Sequence, residues 1–175
     1  MLKCGLDIDD CLAEFYNTYI NRFGEPNNDA EITKNVFKVL RRDKNFWENL
    51  PVLNTLDFIP ELYCTKRVNP KSFTKNWLRK NGFPERPIYQ MYYQKGNKAT
   101  LIKGKVDVFI DDSVSNFIAM NLAGVPCLLY NKSYNQSWGP IGRIYSLEYS
   151  HIYETYKLFM DTVFYNFKNL VNEVK

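Results

Sequence analysis

Histidine is almost missing from this chain: His151 is the only one among 175 residues. A single imidazole weighs against histidine-based catalysis and against a histidine-rich metal centre. Cysteine is sparse as well, and Cys4, Cys11, Cys64 and Cys127 show no metal-like spacing. Three of the four fall in or beside apolar runs, where a free thiol behaves as a small hydrophobe. No apolar run reaches the length of a membrane span, and no signal peptide is recognised. The expectation is a cytoplasmic protein with reduced thiols and no membrane partner.

A strong excess of one charge is lacking too. Lys and Arg total 23 against 19 Asp and Glu, a net charge of +4. That mild basicity suits a small anionic substrate and is too weak for a nucleic-acid footprint, so no nucleic-acid partner is expected. The only dense basic patch, Lys38-Val39-Leu40-Arg41-Arg42-Asp43-Lys44, is expected to be one solvated helix face. Internal repeats and low-complexity segments are absent. Aromatics are plentiful at 16%, and with abundant Asn, Lys and Ile they point to an AT-rich genome rather than to a recognition surface. The length allows one core domain with a small insertion.

What the chain does have is two carboxylate clusters, Asp7-Ile8-Asp9-Asp10 and Asp111-Asp112, each closing a short apolar run. Leu2 to Leu6 leads into the first, and Val106 to Ile110 into the second; both predict buried strands. Asp after a strand is a common turn residue or helix cap, so either cluster alone would be structural. Residues just past the C-terminal ends of parallel strands line the ligand crevice of an open sheet. If the two strands are neighbours, the acids converge, and so much negative charge calls for a hard cation such as Mg²⁺.

The periodicity predicts helices over 12–23, within 32–50, over 53–59, 72–81, 99–102 and 116–123, and from Leu147 onward. Strands are expected at 61–64, 88–93, 125–130 and 143–145. Alternation of this kind argues an α/β fold with a doubly wound parallel sheet. The helical stretch after the first strand looks like a small cap. The boundaries drawn are 1–14 and 52–175 for the core and 15–51 for the cap.

In chain order the strand ends supply Asp7 and Asp9, Thr65, Lys98, then Asp111 and Asp112. This resembles the four-motif signature of the haloacid dehalogenase-like hydrolases. Further stretches resemble the 5′(3′)-deoxyribonucleotidases within that superfamily. They are Asp7 to Phe15, Phe46-Trp47-Glu48-Asn49-Leu50-Pro51, Trp77-Leu78 with Gly82-Phe83-Pro84, Phe109 to Ser113, and Tyr130 to Asn135.

The resemblance implies a Rossmann-like core and an Mg²⁺-dependent phosphatase acting on nucleoside monophosphates. Asp7 would be the nucleophile and Asp9 the acid and base. Thr65, Lys66 and Lys98 would bind the phosphate. Asp7, Asp111 and Asp112 would hold Mg²⁺ with the backbone carbonyl of Asp9. Phe15, Phe46 and Trp47 would stack on the base or pack the cap. Lys95 rivals Lys98, Asp10 fits a turn or an outer position, and Arg67 either reaches substrate or lies on the surface. Gly96 stands where those enzymes carry a substrate-contacting arginine, which leaves base and sugar preference open. Two other functions stand beside this one: trimming of nucleic-acid 3′ or 5′ ends, and nucleotide binding without turnover. Monomer and homodimer are both admitted.

Overall fold

The computed structural model describes residues 1–91, 96–167, 169 and 171. Six short strands form one all-parallel sheet in the order β3-β2-β1-β4-β5-β6. They are β1 Cys4–Leu6, β2 Leu62–Lys66, β3 Ile88–Met91, β4 Val108–Asp111, β5 Cys127–Tyr130 and β6 Arg143–Ile144. The chain winds outward from β1 to β3, then returns to β4 on the other side of β1. The doubly wound Rossmann-like arrangement therefore stands as expected, with its topological switch point between β1 and β4. Strands covered on both faces read as unbroken apolar runs, and β1, β4 and β5 are buried throughout. Gly5 is required in β1, because a Cβ there would lie 2.8 Å from the Phe109 ring.

Between β1 and β2 run α1 Phe15–Phe23, α2 Asp29–Lys38, a 3-10 turn Leu40–Arg42 and α3 Lys44–Glu48, with no strand. Asn28 caps α2 and Asp43 caps α3 through side-chain acceptors. Phe15 stacks on Trp47 at 5.7 Å, and Phe46 meets both edge-on. The Trp47 indole donates to Leu40 O, and Asn35 donates to the Tyr19 hydroxyl. This helical layer rests on α4 Lys71–Lys80, where Trp77 donates to Leu50 O and Asn76 to Glu48. The basic patch crosses α2, the 3-10 turn and α3, so it is not a single helix face.

The remaining helices are α5 Ala99–Ile102, α6 Val114–Leu122, capped by Ser113, and α7 Tyr149–Thr162. Among the described residues, no helix is long and apolar enough to cross a membrane.

Two expected helices are corrected. No helix covers 53–59, because tertiary partners take the start of the stretch, through the Leu53 backbone and the Asn54 side chain. Val52 bridges Ala13, Leu53 N donates to Leu12 O, and Asn54 donates to Cys11 O and accepts from the Tyr130 hydroxyl. The helix expected from Leu12 starts at Phe15, since Leu12 N and Ala13 N both turn back to Ile8 O. Tyr92 and Tyr93 of the expected third strand lie outside the described residues, as do residues 172–175 of the C-terminal segment.

Candidate functional site

The pairing of β1 with β4 sets Leu6 beside Ile110, so both carboxylate clusters leave the sheet at the switch point. Asp7 N donates to Ile110 O, which ties the first cluster to the strand carrying the second. One oxygen each from Asp7, Asp111 and Asp112 lies within 4.8 Å of the others, and all three residues are buried. Lys98, at the start of α5 and 1% exposed, places Nζ 2.5 Å from Asp7 Oδ2 and 2.7 Å from Asp111 Oδ2. Asn116 on α6 donates to both oxygens of Asp111, and Lys66 at the end of β2 donates to Asn116 Oδ1.

Asp9 belongs to a second group. Its carboxylate is outside the metal-sized cluster and turns toward β2, where the Thr65 hydroxyl donates to Oδ2 at 3.2 Å. Arg67 Nε donates to both Asp9 oxygens, and Nη2 reaches Oδ1 at 2.6 Å. Arg67 is therefore no surface residue: its side chain is fully buried, with the guanidinium 4.8 Å from the Trp47 ring and bonded to Thr74. In this conformation its Nε and Nη2 donate to Asp9 and its Nη1 to Thr74. Phe15, Phe46 and Trp47 come together as a cluster packed on itself, so in this conformation none offers an open face to a base.

Asp10 adopts φ +56°, a left-handed conformation that Asp tolerates, and both its oxygens accept from Tyr16 N. It is a turn residue that starts α1. Lys95 lies outside the described residues. His151 accepts from Tyr145 N. The four cysteines are free and buried, and burial pushes Cys4 and Cys64 up to about 12, far from a reactive thiolate. Sequence reasoning missed Asn116, Tyr134, Asn135 and Arg143. The first had a signal in its place one turn after the Ser113 cap, on the side facing Asp111.

Electrostatics decide what this cluster needs. Burial pushes Asp7 well above the usual carboxylate range, and Lys98 only partly opposes it while Asp111, Asp112 and Asp9 add to it. Burial, then the charges of Asp111 and Asp10, raise Asp112 to about 8, and burial raises Asp10 to about 7. Burial disfavours the Lys98 ammonium, yet Asp111 and Asp7 overcome this and hold it well above the lysine range. The Lys98 ammonium pairs with Asp7 and Asp111 alone, so the three carboxylates can all be ionised together only if a further positive charge joins them. All donors are hard oxygens. Such a cluster could hold a metal ion, and oxygen donors of this kind suit a hard one.

A pH prediction follows with a definite sign. A carboxyl whose folded pKa is raised binds its proton more tightly folded than unfolded, so stability falls as pH rises between the two values. In chelator, Asp10 and Asp112 are expected to lower stability progressively from about pH 4 to about pH 8. Mg²⁺ should offset the charge. At a fixed concentration, about 100-fold over its Kd at pH 8.5, it should raise Tm there by about 5–10 °C, and by less at pH 6, where protons compete for the carboxylates. Thermal melts with Mg²⁺ and with EDTA check this, and an equal shift at both pH values would contradict it.

No family model, curated protein or solved structure matches this chain.

Proposed function

We propose that the chain is an Mg²⁺-dependent phosphatase of the haloacid dehalogenase type, hydrolysing (deoxy)ribonucleoside monophosphates. The observation that carries this is the Asp7–Lys98–Asp111 ion network at the switch point, with Asp112 completing a three-carboxylate cluster. A non-catalytic binder has little use for a buried carboxylate aimed at a cation-sized space and a second one held two residues later.

In this reading the phosphate is bound by Lys98, Lys66 and the Thr65 hydroxyl. Asp7 attacks phosphorus, forming an aspartyl-phosphate as the bond to the nucleoside oxygen breaks. The leaving oxygen takes its proton from Asp9, which for this step must be protonated and turned from the Arg67 and Thr65 donors that hold it as a carboxylate here. Asp9 then removes a proton from water, which attacks the same phosphorus and frees Asp7 and inorganic phosphate. Asp7, Asp111, Asp112 and the carbonyl of Asp9 would hold Mg²⁺, which when bound supplies positive charge against the phosphoryl oxygens. Lys98 and Lys66 supply further positive charge from the protein. Phe15, Phe46 and Trp47 would have to part to admit a base. The likeness to 5′(3′)-deoxyribonucleotidases supports the nucleotide as substrate.

The test is phosphate release from a panel of 5′- and 3′-(deoxy)nucleoside monophosphates, with Mg²⁺ and with chelator. Metal-dependent release from one or more of them is the expected result. No release from any would reject the nucleotidase assignment.

A further inference from the structure

We propose that Tyr134 and Asn135 form a clamp that positions Asp112 as a metal ligand, an inference resting on the divalent-cation reading of the carboxylate cluster. Both residues lie on the 3-10 turn Ser133–Trp138 that follows β5. The Tyr134 hydroxyl donates to Asp112 Oδ2, and the neighbouring Asn135 Nδ2 donates to the main-chain oxygen of Asp112 at 2.7 Å. Successive residues thus grip one aspartate by its side chain and by its backbone, from 22 and 23 positions away.

The grip is itself anchored. Asn135 is 2% exposed and all of its side-chain amide is engaged. Nδ2 also donates to Tyr130 O, while Oδ1 accepts from Lys132 N and, at 2.6 Å, from Arg143 Nη1. Arg143, buried in β6, adds Nη2 to Asn135 O and Nε to Gly139 O. Tyr134 is held differently. Its residue is 42% exposed, so burial alone does not dictate where the hydroxyl goes. Its ring lies 5.2 Å from that of Tyr16, whose own N–H is fixed by Asp10.

A hydroxyl that could point to water is instead directed onto a buried carboxylate at the cation-sized cluster. Groups that hold a ligating carboxylate in orientation are worth about 10–100-fold in metal affinity. Tyr134 acts through Asp112 and is a positioning residue.

Tyr134→Phe keeps the ring against Tyr16 and removes one oxygen, so it tests the clamp with little risk to folding. Mn²⁺ alone is the probe, titrated against protein in chelator-stripped buffer, with free Mn²⁺ read by electron paramagnetic resonance. Wild type is expected to bind, and the variant to bind about 10–100-fold more weakly, with the metal-free melting curve nearly unchanged. Equal Mn²⁺ affinity in the two proteins would overturn the clamp while leaving the metal site standing, even if the variant melted earlier. Absence of Mn²⁺ binding by wild type would remove the metal reading and the clamp with it. Phosphate release plays no part in either readout.

Discussion

Asp7→Asn is expected to abolish phosphate release from every nucleotide that wild type hydrolyses, by about four orders of magnitude or more. A carboxamide keeps the shape of the side chain and can still accept from Ile8 N, as Asp7 Oδ1 does at 2.7 Å. It cannot attack phosphorus, and it cannot pair with the Lys98 ammonium. The fold should survive. One of three buried carboxylates is gone, so in chelator at pH 8 the variant should melt no lower than wild type, while its stabilisation by Mg²⁺ shrinks. The two readouts separate chemistry from folding. Turnover above about a hundredth of wild type would move the nucleophile away from Asp7 and leave Asp9 or solvent to take its part.

The parts of the fold legible in the sequence are those where one local signal has one physical cause. A strand buried on both faces must be apolar, so β1 and β4 showed as runs closed by Asp7 and Asp111, and the acids at their ends marked the crevice. The stretch 53–59 misled for a related reason. Leu53, Leu56 and Ile59 carry a helix-like spacing, but the Leu53 backbone and the Asn54 side chain bond to the loop after β1, which no local pattern reports. The same limit hid the partners within the site. Arg67 looked like any polar residue beyond a strand, because the carboxylate that keeps it buried is 58 positions away. The Tyr130 to Asn135 stretch stood out only by resemblance, since nothing local links Tyr134 or Asn135 to Asp112. Phe46 and Trp47 were recognisable as a pair, yet their mutual packing with Phe15 depends on how α1 and α3 meet.

Arg67→Met should produce a large loss of stability. The guanidinium is fully buried, gives its Nε and Nη2 donors to Asp9, and lies against Trp47, which joins the helical layer to β2. Desolvating a guanidinium is expensive, so the intact pair need not stabilise the fold by much; removing one member is a different matter, because Asp9 is left largely buried and without its counter-charge. The expected cost is about 3–5 kcal/mol, a fall of roughly 10 °C or more in Tm for a chain of this length. Methionine nearly fills the vacated volume, which keeps the cavity contribution small. Adding Asp9→Asn to Arg67→Met should recover part of the loss, since the orphaned charge is then gone. Urea unfolding of wild type, both single variants and the double variant measures the coupling directly. A loss below about 1 kcal/mol in Arg67→Met would place this pair with solvent-screened surface bridges. Additive losses in the double variant would mean that Arg67 stabilises the fold through its packing on Trp47 and Thr74, not through Asp9.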